Sequence, residues 1–388
     1  MQMREVSWDD ALTLVTSTFP SLGFEQVPIS EAVGRISATD IYSLCDLPAF
    51  TTSSMDGWAI SGEGPWSIVG EVATGKRSTR VLSTGECMRI GTGGVIPEGC
   101  TSVLPWEDAT TESDNIHGQS VDGANFRPAA LESRTGDLLC EAGTLLKPAM
   151  VGLLAATGHD EIAVSIKPRI GIFFLGDELL HTGVPIDGAI RDALGPQVPS
   201  LIESYGTRVD VATFVVDNLT ALHSAISGAL GKVDAIFTTG GTADGAQDFI
   251  RPVIEELGAE LIVDCVRVRP GYHILVSKIS EGDREIPFVA LPGNPQSALA
   301  ALSSFGRPLI YSLLGRKQEL LKSIELSTEV TTAKDFSRIL PGNLNGDLFT
   351  PTGYLNSAML RGVASADGFA LVEPGINAVG AKARWITL

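Results

Sequence analysis

The spacing of apolar residues in the middle of the chain predicts alternating strands and helices. Arg169–Leu175 is an apolar run that ends at Gly176, and Val198, Leu201, Ile202 and Tyr205 then recur at helical spacing. The other predicted strands are Val209–Val216, Ala235–Thr239, Leu261–Val268 and Pro287–Leu291, and the other predicted helices are Leu219–Leu230, Phe249–Leu257 and Gln296–Phe305. Strands separated by helices of about ten residues predict a mostly parallel sheet that is covered on both faces.

The flanking regions have a different pattern. A helix is predicted over residues 7–19, where Ser7 can cap the first turn, and helical spacing returns at 30–35 and 144–161. Short β-rich runs between Gly, Pro, Ser and Asn indicate a small inserted β domain and a second β domain at the end. The predicted fold class is therefore multidomain α/β and β. The predicted domains are a mixed α+β domain at 1–43 plus 135–166, an inserted β domain at 44–134, an α/β domain at 167–316, and a β domain at 317–388.

Composition and charge narrow the function classes. The chain has 388 residues with 44% hydrophobic and 19% charged residues, which is typical of a packed globular protein. Its net charge of −18 argues against nucleic acid and anionic membranes as partners, because both require a basic surface. The five cysteines show no CxxC spacing, so neither a disulfide framework nor a zinc site is expected. No apolar run reaches about 20 residues and no signal peptide is visible, which predicts a cytoplasmic protein without membrane insertion.

Polar and glycine-rich segments follow the strands of the predicted sheet. They are Gly176-Asp177-Glu178, Asp217, Gly240-Gly241 and Pro292-Gly293-Asn294-Pro295. Ligands of such sheets bind beyond the carboxyl ends of the strands, and glycine turns and helix N-termini accept anions there. Acidic residues beside such turns suggest a metal–phosphate site. The alternative is equally open at this point: tight turns, a simple helix cap at Asn294-Pro295, and a solvated acidic loop.

Several segments resemble, in order, the motifs of the molybdopterin molybdenumtransferase family, which includes the C-terminal catalytic domain of gephyrin. Ser54–Ala59 is similar to S-A-M-D-G-Y/F-A, and Arg89–Gly99 is similar to R-I-x-T-G-A-x-x-P-x-G. Gly176–Leu179 matches G-D-E-L, and Leu291–Ser297 matches L-P-G-N-P-x-S. The remaining matches are Gly240-Gly241 with Asp248, Arg269-Pro270-Gly271 in place of K-P-G-K-P, and the segment with Ser357 and Arg361.

The resemblance implies a four-part subunit that forms a homodimer. It also implies a reaction in which molybdate and adenylylated molybdopterin give molybdenum cofactor and AMP with the help of Mg²⁺. A molybdopterin adenylyltransferase is the implied donor of the substrate. The implied catalytic residues are Asp56, Asp177, Glu178 and Asp248, of which Asp177, Glu178 and Asp248 are the expected metal ligands. The implied substrate-binding residues are Asp192, Gly240, Gly241, Arg269, Pro292, Gly293, Asn294, Pro295, Ser297, Ser357 and Arg361. Without the resemblance, Asp56-Gly57 reads as a β-turn and Ser357 as an ordinary turn serine.

The chain departs from the family pattern mainly around this predicted site. The replacing residues are Thr51, Thr52, Ala193, Leu194, Ala243, Ala246, Tyr272 and His273, and an Arg-rich segment is reduced to Arg127 and Glu132. These departures leave three hypotheses: a working molybdenumtransferase, a dimeric scaffold that binds a peptide or protein, and an enzyme of the same fold that acts on tungstate or another nucleotide conjugate. The retained acidic residues and Asn294 favour the first.

Overall fold

A computed structural model describes residues 5–73, 75–242 and 249–388, and the chain divides into two compact units. The large unit comprises residues 1–25, 143–145 and 164–388, and the small unit comprises 26–142 and 146–163. Within the described residues, every helix is too short or too polar to cross a lipid bilayer.

Short strands dominate the first 165 residues. The elements there are α1 (Trp8–Thr18), β1 (Phe24–Pro28), β2 (Ile41–Tyr42), β3 (Thr52–Ser53), β4 (Gly57–Ile60), β5 (Trp66–Glu71), β6 (Glu86–Ile90), β7 (Ser102–Pro105), β8 (Thr110–Glu112), β9 (Asn115–His117), β10 (Phe126–Arg127), β11 (Leu138–Cys140), α2 (Pro148–Ala156) and β12 (Glu161–Ser165). Helix α1 begins as predicted, because the Ser7 hydroxyl accepts a hydrogen bond from the backbone N–H of Asp10.

The small unit is built around a six-stranded mixed sheet in the order β7-β4-β6-β5-β9-β8. Residues on its central strands alternate between two apolar clusters, since successive side chains of a strand point to opposite faces. Ala59 and Val103 are register partners in one cluster, and the next residues along each strand, Ile60 and Leu104, are buried in the other. The sheet is therefore apolar on both faces.

Strands and helices alternate in the middle of the chain and strands dominate again after it. The elements are β13 (Arg169–Leu175), β14 (Leu179–Leu180), β15 (Ile190–Arg191), α3 (Val198–Ser204), β16 (Arg208–Val215), α4 (Leu219–Ala229), β17 (Ala235–Thr239), α5 (Ile250–Glu256), β18 (Glu260–Asp264), β19 (Val268–Arg269), β20 (Leu275–Glu281), β21 (Arg284–Leu291), α6 (Pro295–Ala301), a π-helix (Leu302–Gly306), α7 (Arg307–Leu313), β22 (Ser323–Leu326), β23 (Val330–Thr331), β24 (Ser337–Asn345), β25 (Leu348–Pro351), α8 (Arg361–Ala364), β26 (Gly368–Val372), β27 (Ile376–Asn377) and β28 (Lys382–Thr387).

The central sheet of the large unit has the order β16-β13-β17-β21-β20-β18. Strands β16, β13, β17 and β21 are parallel, while β20 runs antiparallel to both of its neighbours, so β18 points the same way as the first four. The predicted mostly parallel sheet is thus confirmed, with β20 as an unpredicted strand. Residues on one face, among them Phe173, Ile236 and Phe288, pack against α4 and α5. Each such buried side chain contributes about 1.5–3 kcal/mol of apolar transfer free energy.

Two predicted elements in this unit have wrong boundaries. The strand predicted over Leu261–Val268 ends at Asp264, because Cys265 adopts a positive φ of 65° that interrupts an extended strand. The chain then enters β19, which pairs with β24 instead. The helix predicted over Gln296–Phe305 begins at Pro295 and continues through the π-helix into α7. Asn294 occupies the N-cap position but its side chain makes no capping hydrogen bond there.

Two helical predictions in the flanking regions were also too long. Over residues 30–35 the structure has only a 3₁₀ helix at Ile29–Glu31. Over 144–161 it has α2, followed by the start of β12.

The end of the chain forms a small closed barrel. Strands β24, β25, β22, β28 and β26 pair in sequence, and β26 pairs back to β24, while β19 joins the outside of β24 in parallel. The barrel core includes Leu340, Phe349 and Ala370. Glycine is required at position 342, since a Cβ there would lie 2.3 Å from the Phe349 ring.

Candidate active site

Four strand ends of the central sheet surround one cavity of about 620 Å³, here called the strand-end cavity. Because β13, β16, β17 and β21 are parallel, their carboxyl ends lie at the same edge of the sheet. The lining residues that carry the argument are Glu178, Asp192, Asp217, Gly240, Gly241 and Asn294. The predicted convergence of the acidic and glycine-rich segments is therefore found in the large unit.

The acidic loop after β13 is tied to the loop after β16. The two carboxylate oxygens of Asp217 accept hydrogen bonds from the backbone N–H groups of Gly176 and Asp177, both at 3.1 Å. In return, Asp177 Oδ1 accepts from the backbone N–H of Asp217 at 3.1 Å. Burial raises the pKa of Asp217, and the negative charges of Asp177 and Glu178 raise it further against the backbone hydrogen bonds. The two loops thus form one rigid acidic rim.

Asp192 lines the cavity and directly follows a short pair of strands. Strands β14 and β15 are parallel, and the backbone N–H of Ile190 donates to the carbonyl of Glu178 at 2.9 Å. Asp192 is 9% exposed, and its Oδ1 accepts from the backbone N–H groups of Leu194 and Gly195 at 3.0 and 2.9 Å. A Cβ on Gly195 would lie 2.2 Å from Asp192 Oδ2, so only glycine fits beside this carboxylate.

Two glycine turns that line the cavity lie against each other. Gly240 has a φ of 86°, and its N–H donates to the carbonyl of Leu291 at 3.0 Å. A Cβ on Gly293 would lie 3.4 Å from the Gly240 Cα, which shows how closely the two backbones approach. On the same turn, the backbone N–H of Gln296 donates to the carbonyl of Ser357 at 3.0 Å. The segment around Ser357 is therefore docked on the start of α6.

A second cavity, of about 510 Å³, lies between the central sheet and the barrel within the large unit. It is called the cationic cavity here, because Arg269 and Arg338 line it and its described lining contains no Asp or Glu. Arg269 and Arg338 are register partners on β19 and β24, and the Arg269 guanidinium stacks over Phe336 at 4.7 Å from the ring centre. The other polar lining residues are Tyr272, His273, Asn294, Ser297, Thr331, Thr332, Ser337, Asn356 and Ser357.

Asn294 lines both cavities. The acidic strand-end cavity and the cationic cavity are therefore neighbours at the turn that precedes α6. This arrangement can hold a metal–phosphate group on one side and an oxyanion on the other, since hard cations prefer carboxylate oxygens and arginine fits oxyanions.

Comparison with known proteins places the chain among relatives of the same architecture. Residues 6–158 match the MoeA N-terminal region (domain I and II), 171–312 a probable molybdopterin binding domain, and 323–388 the MoeA C-terminal region (domain IV). A molybdopterin molybdenumtransferase of Nostoc sp. is 30% identical over 323 residues, which are 79% of this chain and 74% of the relative. The chain belongs to the MoeA family.

Two further relatives cover almost the whole chain. A molybdopterin molybdenumtransferase of Staphylococcus aureus is 26% identical over 385 residues, which are 94% of this chain and 91% of the relative. The crystal structure described as molybdopterin biosynthesis MoeA protein from Pyrococcus horikosii has a TM-score of 0.82 at 27% identity and covers 99% of both chains. Membership of the MoeA family, which the motifs predicted, is thus confirmed along with the fold class.

The departures from the MoeA motifs have structural consequences at both cavities. The Tyr272 hydroxyl donates to Glu5, and this contact together with burial raises its pKa to about 12. Its ring packs near Phe336, with 5.7 Å between centres. Tyr272 therefore supplies an aromatic wall where the motif has a lysine. At the strand-end cavity, Leu194 is buried and donates only its backbone N–H to Asp192.

Four predicted site residues are absent from the linings of these cavities or lie beyond what is described. Asp177 belongs to the acidic loop after β13 but not to the lining of the strand-end cavity. Asp56 belongs to the small unit, where its Oδ1 accepts from the backbone N–H of Thr92 at 2.6 Å. Arg361 donates to the Tyr354 hydroxyl at 3.0 Å and stacks over that ring. Asp248, like Ala243 and Ala246, lies outside the described residues. Across the parts of the chain that are described, no group of three or more His, Cys, Asp or Glu side chains is arranged to hold a metal ion.

Asp217 and Arg338 line the cavities but were not among the site residues predicted from the sequence. Asp217 is visible in the sequence only as the residue after a strand, and its tie to Asp177 depends on the pairing of β13 with β16. Arg338 lies in no motif considered above, and only the pairing of β24 with β19 brings it beside Arg269.

Proposed function

We propose that this MoeA-family chain is the transferase that inserts molybdate into adenylylated molybdopterin and releases AMP, a step of molybdenum cofactor biosynthesis. One observation carries the proposal: the acidic strand-end cavity and the cationic cavity, whose described lining holds no carboxylate, share Asn294. The substrates need such a pair of environments, because one carries a charged phosphoanhydride and the other is a tetrahedral oxyanion.

The strand-end cavity suits the phosphoanhydride. Magnesium usually binds one or two carboxylates and takes substrate phosphates as further ligands, and it would neutralise phosphate charge there when bound. Asp177, Glu178 and Asp248 are the proposed carboxylates, with Asp248 resting on its motif alone. We add Asp217, because it lines the cavity with Glu178 and holds the Asp177 backbone at 3.1 Å. Gly240, Gly241 and Gly293 allow the phosphate to approach the backbone closely, because they have no side chain. Pro295 remains a proposed substrate contact from its motif.

The cationic cavity suits molybdate. Arg269 and Arg338 supply positive charge, and the hydroxyls of Ser297 and Ser357 are further donors in the same lining. Charge-assisted hydrogen bonds from arginine to an oxyanion are among the stronger polar contacts in proteins. Pro292, as part of the same lining, fixes the turn between the two cavities. Asp192 contributes a buried carboxylate at the far side of the strand-end cavity, and Arg361 and Asp56 remain proposed substrate contacts from the motifs.

The scaffold hypothesis is not favoured. The relatives above carry the name of an enzyme, and the chain has two neighbouring polar cavities that a pure scaffold does not require. Arg338 lines the same cavity as Tyr272, so the cavity holds two arginines although it lacks the lysine of the motif.

We further propose a cytoplasmic homodimer that receives its substrate from a molybdopterin adenylyltransferase. Exposed apolar side chains support an interface: in the small unit Tyr42, Leu44 and Phe50 are 47–57% exposed. All five cysteines are free thiols, as expected in a reducing compartment. Sedimentation equilibrium of the purified chain tests the dimer, and a monomer at micromolar concentration would contradict it.

The decisive experiment is an AMP-release assay with adenylylated molybdopterin, molybdate and Mg²⁺. The unmodified chain should release AMP, and Asp217→Asn should lose most of this activity without unfolding. Asp347→Asn is the matched control, because Asp347 is an exposed carboxylate paired with Lys322 in the barrel. Absence of AMP release under all metal conditions would refute the proposal. Replacing molybdate by tungstate in the same assay tests the related-ligand hypothesis.

A further inference from the structure

Three strand ends meet at one end of the small-unit sheet. Asp56 directly precedes β4, Trp106 directly follows β7, and Arg89 lies near the end of β6. Strand β4 lies between the other two, with Gly57 in register with Pro105 on β7 and with Ile90 on β6. The backbone N–H of Trp106 donates to the Asp56 carbonyl at 3.3 Å. The antiparallel pairing therefore brings together a carboxylate, a guanidinium group and an indole from distant positions of the chain.

These side chains are accessible as well as close. The Arg89 guanidinium carbon lies 4.8 Å from the centre of the Trp106 ring, which is the geometry of a cation–π contact. Trp106 is 41% exposed, and Asp56, Arg89 and Thr92 are exposed too. Exposure of a tryptophan stacked on an arginine indicates a surface ready to extend the stack with another planar group.

The Asp56 carboxylate is held in one orientation and kept ionised. Its Oδ1 accepts from the backbone N–H of Thr92 at 2.6 Å. This hydrogen bond, with the Thr92 hydroxyl and the charge of Arg89, lowers the pKa of Asp56. An ionised carboxylate has about four lone-pair sites, so it can accept further hydrogen bonds after the Thr92 contact.

We propose that Asp56, Arg89 and Trp106 recognise the pterin ring of the substrate; this group is called the ring platform, and the proposal rests on the proposed function. The pterin edge presents two donors side by side, N3–H and the 2-amino group, and a carboxylate accepts such a pair as it accepts the arginine fork. Trp106 and Arg89 supply the stacking surface, and Arg89 adds attraction for an anionic ligand.

The same chemistry distinguishes the pterin ring from the adenine of the substrate. The hydrogen-bonding edge of adenine pairs one donor, N6–H, with one acceptor, N1. A carboxylate facing this edge would gain one hydrogen bond and meet one repulsive lone pair. Asp56 therefore favours the pterin ring over adenine.

The test compares two small-molecule probes that differ in the group at ring position 2. 6-Hydroxymethylpterin has the 2-amino donor, whereas 6-hydroxymethyllumazine has a carbonyl oxygen there. Each is titrated into the purified full chain, and binding is followed by quenching of the probe's fluorescence. The unmodified chain should bind the pterin at least about tenfold more tightly than the lumazine, since the lumazine oxygen would face the carboxylate unpaired.

Three variants assign the effect to individual residues. Asp56→Asn should abolish the preference for pterin, because an amide offers a donor and an acceptor, while Asp56→Glu should retain a preference. Trp106→Leu should weaken the binding of both probes by roughly tenfold and leave the ratio of their affinities unchanged. Val121→Ala is the control, since Val121 is an exposed apolar residue of the small unit outside strands β4, β6 and β7, and it should change neither affinity.

Equal affinity of the unmodified chain for the two probes would overturn the ring platform, and this arm needs no variant to fold. A preference that survives Asp56→Asn in a folded chain would overturn it as well. The outcome is separable from the enzymatic proposal. Loss of AMP release with an intact pterin preference refutes only the transferase function, and AMP release without any pterin preference refutes only the ring platform.

Discussion

Arg269 and Arg338 are direct register partners on the parallel strands β19 and β24, although they are far apart in the sequence. Like charges on neighbouring strand positions are unfavourable in the absence of a counter-charge, and the cavity they line has no Asp or Glu in its described lining. An oxyanion in the cationic cavity would relieve this repulsion. The pair is therefore the strongest electrostatic argument for molybdate on this side of the site.

Replacement of Arg338 by Ala is expected to weaken oxyanion binding. Loss of one charge-assisted contact costs about 1.5–3 kcal/mol, which corresponds to roughly ten- to hundredfold. Isothermal titration with molybdate and with tungstate measures the change. Arg208→Ala is the control, because Arg208 is an exposed arginine paired with Asp210 on the central sheet. Unchanged molybdate affinity in Arg338→Ala would place the oxyanion elsewhere.

Replacement of Gly195 by Ala is expected to displace the Asp192 carboxylate, because the added Cβ would lie 2.2 Å from Asp192 Oδ2. Overpacking of this kind costs about 1–3 kcal/mol of unfolding free energy, and AMP release should fall. Gly228→Ala in α4 is the matched control, since a Cβ there meets nothing within 4 Å and alanine favours a helix. A fully active and stable Gly195→Ala variant would show that the position of Asp192 is not critical.

Asp217 should make a pH-dependent contribution to stability. Its pKa is raised in the folded chain by burial and by the charges of Asp177 and Glu178, so the folded state holds the proton more tightly than the unfolded state. The unfolding free energy attributable to Asp217 therefore falls as pH rises from the ordinary carboxyl range through the raised pKa. Urea unfolding of the unmodified chain and of Asp217→Asn across pH 3–7 measures this. The unfolding free energy of the variant should lack the pH dependence that Asp217 contributes. The same pH dependence in the variant and in the unmodified chain would contradict the link between Asp217 protonation and stability.

The contribution of Asp234 to stability should depend on pH in the opposite direction. Burial alone would raise its pKa, but hydrogen bonds from Arg169 and the charge of Arg284 outweigh burial and lower it. Its contribution to stability is thus present above the ordinary carboxyl pKa and is lost as pH falls through the lowered value.

Asp234→Asn should cost about 3 kcal/mol at pH 7, the low end for breaking a buried pair, because the two arginines are partly exposed. The same measurement at pH 3 should show a smaller difference. Asp210→Asn, which breaks an exposed pair, serves as the control and should cost under about 1 kcal/mol.

The local spacing of apolar residues predicted the elements in which buried positions follow one regular pattern. The fully buried β17 and the helix α4 were located to within one residue, because an apolar run and a helical period each leave a direct trace in the sequence. The break at Cys265 was missed, since nothing in the residue type requires a positive φ there. The domain boundaries stay a prediction.

The sequence by itself determined the family, the mostly parallel sheet and the convergence of the acidic and glycine-rich strand ends, because motifs and the alternation of strands with helices are local properties of the chain. Only the tertiary structure decided that Asp217 locks Asp177, that Arg338 stands beside Arg269, and that Tyr272 turns its hydroxyl to Glu5. Each of these contacts joins residues whose proximity depends on strand register and packing. Register is set by the whole fold, so no local pattern encodes it.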